Sequence, residues 1–325
     1  MPPRRTFLLS AVLMAIAGST PAFAADTAFP PSTIISVVPL GPGSASDTVA
    51  RIVSQNLSQV WKVPVTVENK PGANGIPGTS SVVRAKGDGS TLLWIASNHI
   101  INESLYHKLP YNGLKDLRPI AQVAYAPLIL CVPANSPAHN LKELIKLAKT
   151  RPGKLNYGSA GSGSTTHLAT EMFKDAAGID IAHVPYKAIG QAMTDLIAGT
   201  LDILFLSPPT AMAQIKAGKL RAIGAASKTR LEIAQDIPTL SESGLPGFEV
   251  QAILGVVAPA SMPDATAERI SADIVRVASM PEVRQSIIQT GLVPAPLPLK
   301  EFVGVVRKEN ELWSKVVKAS GAQAD

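Results

Sequence analysis

The 325-residue chain is 46% hydrophobic and 17% charged with a formal net charge of +6, the composition of a folded globular protein rather than of a disordered tail. Aromatic residues make up only 5%, and the basic residues (Lys142, Lys146, Lys149, Arg221, Arg230 among them) are scattered, which excludes a nucleic-acid binder built on a clustered basic, stacking face. Cys131 is the only cysteine, so an intramolecular disulfide is impossible, and with no His-x(3–5)-His spacing a structural zinc site is excluded as well.

The chain opens with MPPRRTFLLSAVLMAIAGSTPAFA: Arg4 and Arg5, an apolar stretch from Phe7 to Ala17, and a small-x-small end at Ala22-Phe23-Ala24. This predicts a signal peptide over residues 1–24, cleaved before Ala25, by the general or the twin-arginine route. No cysteine at the cleavage point offers a lipid anchor, and no later run is long and apolar enough to span a bilayer, so the mature chain is expected free in the periplasm. Its length of about 300 residues favours two lobes over one core.

Strand-like and helix-like segments then alternate, which predicts α/β layers with largely parallel sheets. TIISVVPL reads as a strand, and the segment after it sets Val49, Ile52, Val53, Leu57 and Val60 on one helical face. VPVTVEN and STLLWIAS follow as strands, and Asn140 caps the helix LKELIKLAKT. In the middle, KLNYGSA is a short strand and His167 to Ala177 a helix with Leu168, Met172 and Ala176 inward. IAHVPY, LDILFLS and LRAIGAAS read as strands, with QAMTDLIAG and the proline-led PPTAMAQIKAGK as helices. From Pro263 onward the chain reads as mostly helical. The apolar stretches from Ala121 to Leu130 and QAILGVVAP from Gln251 are the expected crossings between lobes. They give lobe 1 residues 25–122 plus 252–325, and lobe 2 residues 123–251.

Two loops share one design: GPGSASDTVA from Gly41 and GSGSTTHLAT from Gly161, each Gly-x-Gly-Ser between an apolar strand and a helix. The first turn of such a helix carries backbone N–H groups without intrahelical partners at its positive end, and glycine and hydroxyl residues let an anion approach them. Gly41, Gly43, Ser44 and Ser46 fit that chemistry in the first loop, and Gly161, Gly163, Ser164, Thr165 and Thr166 in the second. Taken alone, each is also an ordinary strand-to-helix turn, and Ser44-x-x-Asp47 resembles a capping box. Catalytic motifs fail by inspection. Ser46 and Thr166 stand where a dinucleotide fingerprint needs glycine, no G-K-[ST] exists, and no G-x-S-x-G elbow is formed.

The landmarks VVPLGPGSASDTVAR, VTVENKPGANG, DGSTLLWIAS, the H-x-I-N of His99 to Asn102, LYHKLPY, GKLNYGSAGSGSTTHLA, HVPYK, TDLIAGTLDILF, IKAGKLRAI and GLPGFEV stand in this order across the mature chain. In that order the chain resembles the Bug-type periplasmic solute-binding proteins of tripartite tricarboxylate transporters. The resemblance implies a two-lobed α/β, Venus-flytrap fold of the type II periplasmic-binding-protein class, with a ligand cleft between lobes. It implies a monomeric, non-enzymatic receptor without cofactor or metal, taking a small organic carboxylate and handing it to membrane permease subunits. A sensory receptor for a signalling partner and an exported enzyme on the same scaffold are the alternatives. The family pattern maps ligand contacts onto Leu40, Gly41, Pro42, Gly43, Ser44, Ala45 and Ser46, and onto Ser159, Ala160, Gly161, Ser162, Gly163, Ser164, Thr165, Thr166 and His167. It also maps them onto Ser97, Asn98, His99, Tyr186, Phe205 and Ser207. Three departures stand out: Leu40 replaces an aromatic wall, Phe205-Leu206-Ser207 lacks the carboxylate of the family's F-D-N, which disfavours an amino-acid ligand, and VPYKAIG displaces the glycine after Lys187 to Gly190.

Overall fold

The computed structural model describes residues 29–324, and the predicted signal peptide lies outside them. The first sheet is laid out by β1 (Ile34–Val38), β2 (Val65–Asn69), β3 (Thr91–Ala96), β4 (Leu117–Pro127), β10 (Gln251–Pro259) and β11 (Val293–Leu297), in spatial order β11-β4-β10-β3-β1-β2. β1 runs parallel to both β2 and β3, while β10 enters antiparallel between β3 and β4. Each parallel strand feeds a helix: α1 (Ala45–Trp61), α2 (Ile76–Val83) and α3 (Ser97–Leu105).

The second set repeats this plan. β6 (Asn156–Ser159), β7 (Ala182–Pro185) and β8 (Leu204–Leu206) feed α5 (Thr165–Ala177), α6 (Ile189–Ile197) and α7 (Pro208–Lys216). β6 and β7 are parallel, and a parallel bridge from Tyr157 to Ile203 ties β6 to the β8 side. β5 (Ile129–Pro133) lies antiparallel between β8 and β9 (Leu220–Ala225). The lateral order β7-β6-β8-β5-β9 therefore matches β2-β1-β3-β10-β4 strand for strand. Each sheet flanked by its helices makes one lobe of a two-lobed α/β fold.

Local chemistry accounts for most of the boundaries. Ser44 caps α1, and the left-handed Lys62 (φ 58°) ends it. Asn140 caps α4 (Leu141–Thr150) by accepting from the Glu143 N–H at 2.9 Å. Gly178, at φ 60°, ends α5, and Pro208 opens α7 where its missing N–H costs nothing. The C-terminal region supplies α8 (Asp264–Ala278), α9 (Pro281–Gln289) and the long α10 (Leu299–Ser320). α8 packs against α1 and β4, whereas α10 packs on α3 and reaches α5 of the other set.

The sheets are mixed rather than largely parallel, because β10, β11 and β5 pair antiparallel with their neighbours, and three further details differ from the expected elements. The inward stripe of α5 is Leu168, Ala169, Phe173 and Ala177, because Ala176 faces solvent and Met172 is half-buried. The apolar run from Ala121 to Leu130 is split at Pro127–Leu128 between β4 and β5. β11 interrupts the helical C-terminal region as an edge strand, a position that tolerates Pro294 and Pro296. Cys131 sits fully buried in β5, and burial pushes its thiol up to about 12, so it serves as a small core residue.

Candidate ligand site

Ligands of parallel α/β sheets sit beyond the carboxyl ends of the strands, where loops enter helices. Both Gly-x-Gly-Ser loops occupy that position, after β1 and after β6, and three of their internal hydrogen bonds join corresponding positions. Ser44 N–H donates to Gly41 O at 3.2 Å, and Ser164 N–H donates to Gly161 O at 3.2 Å. Ser44 Oγ accepts from Asp47 N–H at 3.3 Å, and Ser164 Oγ accepts from His167 N–H at 3.3 Å. The glycine amides are also taken: Gly43 N–H donates to Asp47 Oδ2 at 2.9 Å, and Gly163 N–H donates to His167 Nδ1 at 3.0 Å. Gly43 and Gly163 both need the left-handed region, at φ 78° and 72°.

Among the described residues, the pair of amides opening the helix finds no partner in either loop. Ala45 and Ser46 in α1, and Thr165 and Thr166 in α5, have no carbonyl one turn back within their helices, as helix geometry requires. They carry the positive end of the helix dipole. Hydroxyl groups surround them. Ser46 Oγ is buried with no partner among the described residues. Thr166 Oγ1 accepts from Ala160 N–H at 3.1 Å and meets Ser164 Oγ at 3.2 Å. Leu40, Gly41 and Gly161 are half-buried, and Pro42, Gly43, Ala160 and Ser162 border solvent, so both loops stand at the rim of their lobes.

The two loops differ in the group at their fourth position after the second glycine. Burial alone would raise the Asp47 carboxyl, but hydrogen bonds from Arg51, Gly43 N–H and Asn69 outweigh it and hold it below the ordinary range. Arg51 is consumed by that carboxylate, at 2.9 Å, and by Asn69 Oδ1, also at 2.9 Å. Asn69 Nδ2 in turn donates to Leu40 O and to Asp47 Oδ1. Asn69 is a contact of the first loop that sequence reasoning missed: it lies inside the VTVENKPGANG landmark, but nothing in local spacing ties it to a loop 29 residues away.

His167 must be neutral to accept at Nδ1, which places its proton on Nε2. It stacks on His183, with ring centroids 4.0 Å apart, and Tyr157 lies against both. Burial lowers the His167 pKa, and burial together with His167 pushes His183 down to about 4. His183 Nε2 lies 2.7 Å from Ser159 Oγ, which also bonds both the N–H and the carbonyl of Gly161.

The remaining sequence-predicted positions are placed unequally. Tyr186 N–H donates to Ser159 O, and its hydroxyl donates to Asp195, whose carboxylate pushes the phenol up to about 12. Ser207 precedes α7 with its Oγ 3.0 Å from Thr210 Oγ1. Ser159, Tyr186 and Ser207 thus stand beside the second loop, at the ends of β6, β7 and β8. Ser97, Asn98 and His99 form the buried first turn of α3: Ser97 Oγ accepts from Ile253 N–H, and His99 lies against Tyr111 and Gly113 with its pKa pushed down to about 4 by burial. Phe205 is fully enclosed, edge-on to Phe173, so its side chain is taken up by the lobe core. A cavity of about 620 Å³ between α4, α5 and the end of α10 touches neither loop.

Comparison with known proteins places the chain in a family. The model of the tripartite tricarboxylate transporter family receptor matches residues 49–322. A protein in the tcbD-tcbE intergenic region of Pseudomonas sp. strain P51 is 35% identical, over 97% of this chain and 94% of its own. BugT of Bordetella pertussis is 30% identical, over 98% of each chain. Among solved structures, R. palustris Rpa4515 with adipate has 26% identity and a TM-score of 0.83, covering 91% of this chain and 99% of that one. MatC from Rhodopseudomonas palustris with bound malate has 28% identity and a TM-score of 0.76, covering 89% and 100%.

Proposed function

Since the chain belongs to the tripartite tricarboxylate transporter receptor family, we propose that it is a periplasmic receptor that captures a small organic carboxylate and delivers it to the membrane subunits of such a transporter. The ligand is held between Leu40–Ser46 and Ser159–His167. The single observation that carries this reading is the matched pair of loops, each spending its glycine amide on an internal acceptor and leaving two helix-opening amides free.

An N–H aimed at a carboxylate gives a charge-assisted hydrogen bond of about 1.5–3 kcal/mol. Several together, in a site closed against water, support the roughly −8 kcal/mol of micromolar capture after association costs. Arg51, in the second turn of α1, is committed to Asp47 and Asn69, so the attraction comes from amides and hydroxyls rather than an arginine clamp. Closure is a hinge motion between the lobe of β1–β4, β10 and β11 and the lobe of β5–β9, about the crossings at the ends of β4 and β10, driven by a ligand that touches both.

The ligand class follows from what the second loop region offers. Phe205-Leu206-Ser207 carries no carboxylate to receive an ammonium group, so a plain carboxylate is favoured over an amino acid. The adipate and malate of the two relatives are the first compounds to try. Native mass spectrometry of the purified protein, followed by a thermal-shift screen of organic acids, tests the reading. A ligand at about 100 times its dissociation constant stabilises by about 2.7 kcal/mol. A screen in which no organic acid raises the melting temperature, or in which aspartate or glutamate ranks first, overturns it.

A further inference from the structure

The connector between β2 and α2 is bent in a way its sequence does not favour. Gly72, Ala73, Asn74 and Gly75 all lie at positive φ, at 120°, 39°, 53° and 88°. Two of these four carry a Cβ, and such a run persists only where its surroundings over-determine it. Two features do so. On the inner side, Asn98 Nδ2 and Asn102 Nδ2, one turn apart on α3, both donate to Asn74 O, at 2.9 and 3.1 Å. Their residues are 8% and 1% exposed. A carbonyl oxygen only accepts, so both amides must turn their NH₂ groups toward it, and their orientation is fixed.

On the outer side the connector presses on the start of the first loop. A methyl group at Gly75 would lie 3.0 Å from Pro39 Cβ and 3.1 Å from Pro39 O. One at Gly78 would lie 2.9 Å from Pro39 Cα and 2.8 Å from Lys70 O. Glycine at both positions lets the two backbones close together. The same connector holds the loop at two further points: Lys70 N–H donates to Val38 O at 2.8 Å, and Asn69 Nδ2 donates to Leu40 O at 3.1 Å.

We infer that Asn98 and Asn102 are positioning residues for the first loop: by gripping Asn74 O they hold the connector Asn69–Gly78 as a left-handed arch against Pro39, which fixes Leu40–Ser46. The family pattern maps Asn98 onto the ligand; here its Nδ2 is committed to the arch while its Oδ1 is buried with no partner among the described residues, and the effect inferred here passes through the backbone of another loop. The arch bears on ligand capture only through the reading of Leu40–Ser46 proposed above.

Hydrogen–deuterium exchange of the full chain without ligand tests this. Asn98→Ala and Asn102→Ala, made singly, are expected to speed exchange about tenfold in peptides covering 39–47 and 69–78, the equivalent of about 1.4 kcal/mol of local opening, and to leave 159–167 at the wild-type rate. Asn74→Gly keeps the carbonyl and relieves the left-handed constraint, and is expected to exchange as wild type in 39–47. An unchanged 39–47 in both alanine variants overturns the inference, and so does an equal rise in 39–47 and 159–167. If Asn102→Ala does not fold, Asn98→Ala, at the less enclosed position, decides by the same criteria. A failed organic-acid screen would count against the ligand reading and leave the arch untouched, since exchange is measured without ligand.

Discussion

The twin glycines Gly43 and Gly163 offer a controlled comparison, because backbone conformation and hydrogen bonding match while the surroundings differ. A methyl group at position 43 meets nothing within 4 Å. At position 163 it would lie 2.8 Å from Leu105 Cγ and closer still to both methyls of that side chain, which is 2% exposed and cannot swing away. Both alanine variants lose roughly 1–2 kcal/mol to a left-handed Cβ. Only Gly163→Ala adds an overpacking cost of about 1–3 kcal/mol. Urea unfolding should therefore show a loss of about 1–2 kcal/mol for Gly43→Ala and about 2–5 kcal/mol for Gly163→Ala. Leu105→Ala alone costs about 2–5 kcal/mol, but it removes the clashing methyls. The double variant Gly163→Ala/Leu105→Ala should then be more stable than additivity predicts, by about 1–3 kcal/mol. Equal losses at the two glycines, or strict additivity in the cycle, would refute the argument that the second loop is seated on the end of α3.

Acid should destabilise the protein through its buried imidazoles. His99 titrates at about 4 in the folded chain against the ordinary histidine value of 6.5, so the unfolded chain binds the proton more tightly. Its stabilisation is full above that unfolded value and is lost as pH falls toward the folded one, with about 2 kcal/mol gone by pH 5. Glu103, whose carboxyl is raised chiefly by burial, acts with the opposite sign. The test is accordingly the difference between wild type and His99→Gln in urea unfolding from about pH 7.5 to pH 5, and a flat difference contradicts the assignment. Ser46→Ala should not lower stability in urea unfolding, because its buried Oγ has no partner among the described residues to lose. The same change should weaken the tightest organic acid about 2- to 12-fold in calorimetry, one hydrogen bond's worth; unaltered affinity would remove Ser46 from the site.

The repeat of strand, glycine loop and helix was legible because each copy joins an apolar run to a capped amphipathic segment within about ten residues. Ser44 and Asn140 cap as their spacing suggests. The carboxylate of Asp47, though, reaches the Gly43 amide rather than completing the expected box at Ser44. α2 and α3 were hidden: IPGTSSVV carries both Pro77 and Gly78, and Ser97 follows β3 with no intervening turn to announce a helix. Phe205, carried over from the family pattern, turns into the core since all three residues of β8 are enclosed. The contacts Asn69 to Leu40 and Asn98 to Asn74 join residues 29 and 24 apart through the fold, and no periodicity encodes them.

Capture by both lobes at once is most directly read from amide resonances. In a ¹H–¹⁵N titration with the best acid from the screen, the amides of Ala45, Ser46, Thr165 and Thr166 should shift together along one saturation curve. Movement confined to a single pair, or none at any of the four positions, would contradict the two-jaw site.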